Sequence, residues 1–200
     1  MQLHRVKKVG YRGFTIVELM ITLAIAAIGL ALAVPTVENI TQRRAATAKA
    51  EQLASFLAFA RSEAVKSNRQ ISVQLTRTDA NSWCIGADEG PAGCDCFTAN
   101  SCIVGTTEVR MDSVEQPKSK LEAFEPSGDA TFVFDPVRGT LREDDLAPRE
   151  YQIRSDNDEF ELQVNVSPTG RVRVCNPDAD RAVPGFKECT VVPIIIGPGP

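Results

Sequence analysis

Two arginines, Arg171 and Arg173, stand two residues apart in the segment TGRVRVC, residues 169–175, directly after Gly170. On an extended strand alternate side chains share a face. The two guanidinium groups would then rise from one side about 6.8 Å apart at Cα, with Val172 and Val174 on the other side. A guanidinium takes a phosphate or carboxylate oxygen through forked, charge-assisted hydrogen bonds. A pair of them on a stiff ribbon suits two phosphates of a nucleic-acid backbone, and such contacts read no base. The plainer use of the same residues is solvation, or pairing with acids on a neighbouring strand such as Glu159 or Glu161. The preceding residues place the pair: in VNVSPTGRVRVC, Pro168 and Gly170 are turn-formers between two alternating runs, the pattern of a β-hairpin.

Little else in the chain offers chemistry. The only histidine is His4, in the basic segment MQLHRVKKVGYRG at residues 1–13, so without that segment no imidazole remains for a Ser-His or Cys-His pair or a mixed zinc site. Carboxylates and thiols remain, in no arrangement that makes a case for a specific reaction, a cofactor or a metal. The expectation is a protein that binds or builds rather than an enzyme. Charge narrows the binding options. The chain carries a formal net charge of -4, and its first 13 residues hold Arg5, Lys7, Lys8 and Arg12 with no acid. The rest sets 18 basic side chains against 26 acidic ones, whereas a general nucleic-acid binder is basic over its surface. Any polyanion site must be small and local.

The elements that would carry such a site begin with a membrane anchor. From Phe14 to Val34 the only formal charge is Glu18, and a helix of that length spans the roughly 30 Å of a bilayer core. The basic flank before it predicts a cytoplasmic N-terminus and a C-terminal domain beyond the membrane. A secretory signal peptide has a shorter apolar core and no acid near its start. An ionisable group inside an apolar span needs a partner, and for Glu18 the nearest cation would be a free amine created by cleavage between Gly13 and Phe14.

GFTIVELM, followed by about sixteen apolar residues and Pro35, resembles the type IV prepilin signal: a short basic leader, Gly, Phe, and Glu as fifth residue of the product. The resemblance implies that a prepilin peptidase removes residues 1–13 after Gly13 and methylates the amine of Phe14. It implies that Glu18 docks the subunit into a filament by pairing with a neighbouring subunit's terminal amine. Residues 14–35 would anchor the subunit in the bacterial inner membrane and later pack in the filament core, with Pro35 kinking or loosening the helix.

Residues 36–69 contain no Gly or Pro. Ala46, Ala50, Leu53, Leu57, Ala60 and Ala64 follow helical spacing on one face. Phe56 and Phe59 widen that face, which would pack on a sheet. Arg43, Arg44, Lys49, Arg61, Glu63 and Lys66 form the solvated side. From Ile71 the period becomes two: ISVQLT, TFVFD at 131–135, YQIR at 151–154 and FELQVNV at 160–166 are expected strands. The expectation is an α+β fold, with a long N-terminal helix on an antiparallel β domain over residues 70–200. That is the type IV pilin arrangement. ARSEAVKSNRQISV, residues 60–73, and the later TGRV resemble the FimT/FimU/GspH family of minor pilins and pseudopilins, while residues 77–125 depart from it and suggest variable loops. GRVR is similar to the G-R-x-R motif of FimT-type minor pilins, which bind DNA during natural transformation. The resemblance implies double-stranded DNA as a partner, Gly170, Arg171 and Arg173 as the site, and Arg181 and Lys187 as further candidates in a C-terminal loop diluted by Asp178, Asp180 and Glu188. It equally admits a structural pilus-tip or type II secretion subunit. Either way the other partners are pilins or pseudopilins, and the place in the filament is near its tip.

All six cysteines follow the anchor, on the expected oxidising side, and their even number favours disulfides. Cys175 and Cys189 stand apart and are expected to pair. Cys84, Cys94, Cys96 and Cys102 leave two arrangements open, 84–94 with 96–102 or 84–96 with 94–102, because a 94–96 bond must close across one residue. A four-thiolate metal site is the alternative, against which stand the location and the lack of paired C-x-x-C motifs.

Overall fold

The computed structural model describes residues 13–79, 82–113, 119–125, 130–143 and 146–190. Residues 1–12, with most of the expected leader and His4, lie outside the described residues. The chain divides into two compact units, Met1–Ile40 and Thr41–Pro200, and one helix, α1 (Ile16–Ser67), contributes to both.

In the first unit α1 opens on a cap written into the sequence. Thr15 precedes the first helical residue, and its Oγ1 accepts a hydrogen bond from the Glu18 backbone N–H at 3.2 Å. Thr-x-x-Glu is the capping-box spacing, and an acid in the first turn suits the positive end of the helix. Phe14 before it and Ile16, Leu19, Ile21, Leu23 and Ile25 along the helix are all exposed, an apolar surface all round that needs an apolar surrounding. Among the described residues no helix is long and apolar enough to cross a membrane; the expected span runs into residues 31–36, whose side chains lie outside the described ones. The helical assignment continues through Pro35.

In the second unit the spaced stripe is the buried one: Ala46, Ala50, Leu53, Leu57, Ala60 and Ala64 are each no more than 1% exposed. Small side chains at most of these positions let sheet residues come close. The helix stops at Ser67 because Asn68 takes φ 53° and the Arg69 amide bonds back to the Ala64 carbonyl at 3.2 Å, a left-handed cap of the Schellman type. Ten strands follow among the described residues: β1 (Ile71–Arg77), β2 (Trp83–Glu89), β3 (Ile103–Val104), β4 (Thr107–Glu108), β5 (Arg110–Asp112), β6 (Ser119–Glu125), β7 (Ala130–Phe134), β8 (Arg149–Ser155), β9 (Glu161–Val166) and β10 (Val172–Cys175). They form a four-stranded sheet of order β5-β2-β1-β7, a second of order β10-β9-β8-β6, and the ribbon β3-β4. Among the described residues every strand pairs antiparallel, and two isolated bridges, Glu161 with Ala182 and Asn176 with Glu188, are parallel. The helix stripe and the inward residues of both sheets, among them Ile71, Val73, Phe132, Ile153, Leu162 and Val164, make one apolar core. The α+β expectation therefore holds.

Three readings need correction. Residues 77–125 are not simply loops, since β2 lies in register along all seven residues of β1. Lys49 is not on the solvated side: it is fully buried, its Nζ donates to the Asp112 carbonyl at 3.0 Å, and the ammonium lies 4.7 Å from the centre of the Trp83 ring. Phe59 does not widen the packing face. It is 42% exposed, whereas Phe56 packs on the core.

Candidate polyanion-binding hairpin

β9 and β10 form the hairpin that carries the arginines. Its loop is Pro168-Thr169-Gly170: the Gly170 amide bonds the Ser167 carbonyl at 2.8 Å, the Ser167 amide bonds the Arg171 carbonyl at 3.0 Å, and Gly170 has φ +75°. A three-residue hairpin of this kind needs its last loop residue left-handed, the conformation glycine adopts without strain. The Ser167 hydroxyl accepts from the Arg171 amide at 3.1 Å, which fixes where the first arginine leaves the turn.

Along β10, Val172 and Val174 pair with Val166 and Val164 and pack on the core. Arg173 stands opposite Asn165, on the other face of the ribbon. Continuing across that row, Asn165 stands opposite Glu150 on β8, so the residue directly across from Arg173 is an amide and the first acid in the row lies one strand further on. Both arginines are exposed. Of the two acids that could have neutralised them, Glu161 is engaged elsewhere: its Oε2 takes Arg154 at 3.1 Å and Arg181 at 3.2 Å. Glu159 is exposed in the turn before β9.

That engagement corrects one reading. Arg181 is tied to the buried Glu161 and, at 3.7 Å, to Asp178, so it fastens its loop rather than offering a free cation. Lys187 is exposed. The loop holding both is bounded by the disulfide Cys175–Cys189 and organised by Asn176, a residue that no motif or spacing singles out. Asn176 is 5% exposed; its side-chain amide donates to the carbonyls of Phe186 at 2.8 Å and Val183 at 3.2 Å, and its Oδ1 accepts from the Val183 amide at 2.9 Å. The other four cysteines take the crossed arrangement, Cys84–Cys96 and Cys94–Cys102. Their sulfurs are used in disulfides, not as a thiolate cluster. Gly86 on β2 makes room for them, since a Cβ there would collide with the sulfurs of Cys102 and Cys94.

The hairpin tip is seated on a second turn, Asp135–Leu141. That turn is closed by Gly139 N–H to Asp135 O at 2.9 Å and by the Asp135 carboxylate, which accepts from the amides of Val137 and Arg138 at 3.0 and 2.9 Å. It bonds the hairpin through Leu141 N–H to Pro168 O at 2.9 Å. From α1, the Arg61 Nε donates to the Gly139 carbonyl at 2.7 Å, so Arg61 is a strut under the turn and not a solvated cation. Between α1, this turn and the hairpin lies an open groove of about 520 Å³, lined by Ala58, Arg61, Ser62, Val65, Arg138, Gly170, Arg171 and Val172.

Comparison with known proteins adds the following. The profile of the family described as type II transport protein GspH matches residues 49–170, and that of the prokaryotic N-terminal methylation motif matches residues 9–34. The first match ends at Gly170, one residue before the arginine pair. No curated protein sequence gives a significant match. Among solved structures, the chain is similar to the type IV minor pilin FimU of Pseudomonas aeruginosa in two crystal forms. One shows 21% identity and a TM-score of 0.47, covering 68% of this chain and 91% of that one; the other shows 18% and 0.43, covering 64% and 90%. The minor pseudopilin EpsH from the type 2 secretion system of Vibrio cholerae is similar at 15% identity and a TM-score of 0.45, covering 66% of this chain and 97% of that one.

Proposed function

The chain belongs to the GspH family of minor pilins and pseudopilins and begins with the N-terminal methylation motif, and on that premise we propose that it is a FimT-like minor pilin which holds double-stranded DNA through Arg171 and Arg173. In this reading a prepilin peptidase cuts after Gly13 and methylates Phe14, and Glu18 pairs with a neighbouring subunit's amine during assembly. The N-terminus faces the cytoplasm, the inner membrane holds the subunit before assembly, and the domain works near the pilus tip in DNA uptake.

The observation that supports the DNA reading is the state of the two guanidinium groups. Both are exposed, Arg173 stands opposite Asn165 rather than an acid, and Glu161 is used by Arg154 and Arg181. Exposed cations without fixed partners keep their hydrogen bonds available for phosphate oxygens. Two such contacts predict a log–log salt slope of about −1.8, hence about a tenfold loss of affinity between 50 and 200 mM salt.

The test uses the fragment Thr41–Pro200. It is one compact unit, and every buried apolar residue among the described ones lies within it. Titration with duplex DNA of mixed sequence is expected to show binding that does not depend on sequence. Arg171→Gln with Arg173→Gln is expected to remove it while the melting temperature stays within a degree or two. Unchanged binding by the double variant would refute the reading. The competing role, a purely structural subunit of a type II secretion pseudopilus, is favoured by the family description and by the end of the family match before the arginines. Under it the double substitution leaves secretion and piliation intact and the parent fragment binds no DNA.

A further inference from the structure

The two glycines that bring the hairpin onto the 135–141 turn also bring two arginines together. Gly139 and Gly170 both have positive φ, at 62° and 75°, and their backbones touch: a Cβ added at Gly170 would run into the Gly139 carbonyl oxygen. Arg138 directly precedes Gly139 and Arg171 directly follows Gly170, so this contact places their side chains on the rim of the same groove. Arg61 reaches the groove from the helix side. Its Nε is spent on the Gly139 carbonyl, and its two terminal nitrogens have no partner among the described residues.

We propose that this groove extends the DNA contact, with Arg138 as a third phosphate-binding residue beside Arg171 and Arg173, and Arg61 holding the turn that presents it. The inference rests on the DNA reading of the hairpin and adds a direction to it: the phosphate backbone crosses from β10 over the hairpin tip toward α1. Two features favour Arg138. Its one ion pair among the described residues, to Glu143 at 3.4 Å, joins side chains that are 69% and 85% exposed. Such a pair is worth little in water and yields readily to a phosphate. Much of the groove lining is small or apolar, Ala58, Val65, Gly170 and Val172, so a sugar-phosphate unit can approach without displacing an ordered polar network. Among the described residues Glu143 is the opponent ion-paired to Arg138, an exposed acid that competes for it and repels the ligand. Asp135 has its carboxylate tied by two backbone amides.

The experiment measures duplex DNA binding by Thr41–Pro200 across a salt series. Arg138→Gln is expected to weaken binding about 3- to 10-fold and to lower the salt slope by about one contact. Arg138→Lys is expected to keep the slope, because the charge remains, while binding less tightly, because the fork is lost. Glu143→Gln is expected to tighten binding. Both positions are exposed, and matching thermal melts confirm that folding is unaffected. If Arg138→Gln and Glu143→Gln bind like the parent while the Arg171 and Arg173 double substitution loses binding, the groove has no part and the hairpin stands alone. If the parent itself binds no duplex, the hairpin reading and this extension fall together.

Discussion

Gly170→Ala is expected to destabilise the Thr41–Pro200 unit by about 2–5 kcal/mol, in a variant that removes no charge and no apolar surface. About 1–2 kcal/mol comes from holding a residue with a Cβ in the left-handed region. The remainder comes from space. The new methyl would overlap the Gly139 carbonyl and sit 2.9 Å from the Arg61 Nε, and forcing an extra carbon into a packed contact costs about 1–3 kcal/mol. Relief requires the hairpin tip to lift off the 135–141 turn, stretching the Leu141-to-Pro168 bond and loosening the Arg61 strut. Gly105→Ala separates the two contributions. Gly105 has φ +66° with nothing within 4 Å of an added Cβ, so it should lose only the conformational part, about 1–2 kcal/mol. Denaturant titration of both variants makes the comparison, and equal losses would mean that the hairpin-to-turn contact contributes nothing. DNA binding by folded Gly170→Ala should also weaken, although both arginines remain. The glycine of GRVR then matters because it fits one turn onto another.

That contact marks the limit of what the sequence discloses about the site. The hairpin was legible, because SPTG between alternating runs forces a turn and places Arg171 and Arg173 on one face. The partner turn was not. FDPVRGT announces a turn of its own, but nothing in either segment says the two meet, since a backbone-to-backbone contact leaves no side-chain signature. The helix stripe from Ala46 to Ala64 was fully legible because one buried face imposes its period. β2 was missed for the opposite reason. The first five of its residues are buried on both faces, one side against the core and the other under the disulfides that pack on Gly86, so WCIGADE shows no alternation. β6 shifts register between Leu121 and Ala123, which breaks its period as well. Lys49 was misplaced because a lysine on a helix is solvated by default; its burial depends on an aromatic ring and a carbonyl supplied by Trp83 and Asp112, distant in sequence. Arg181 was offered as a candidate DNA contact because its acid, Glu161, sits twenty residues away on β9.

Asn176→Ala is expected to cost about 3 kcal/mol or more and to release the loop between Cys175 and Cys189, even with the disulfide intact. The amide bonds three backbone groups of that loop, at Val183 and Phe186, from a site that is 5% exposed. Each buried donor or acceptor left without a partner costs about 1–3 kcal/mol. Water reaching the site offsets part of that. The disulfide, separated by 14 residues, contributes about 3 kcal/mol in the chain-entropy account. The two act on the same segment by different routes: the disulfide restricts the unfolded loop, while Asn176 gives the folded loop its shape. Coupling between them is therefore expected. Cys175→Ser with Cys189→Ser leaves the amide network to order a loop whose free end is longer. Adding Asn176→Ala should then cost less than it does with the bridge in place, because neighbouring contributions to one structure do not add. Limited proteolysis within residues 177–188, alongside denaturant titration of the cycle, reads both quantities. A parent-like melt for Asn176→Ala would show that the disulfide alone holds the loop. Strict additivity would show that the bridge and the amide stabilise different structures. The coupled outcome makes Lys187 and Arg181 parts of one rigid annex to β10, fastened at its base by the bridge and at its centre by a single asparagine.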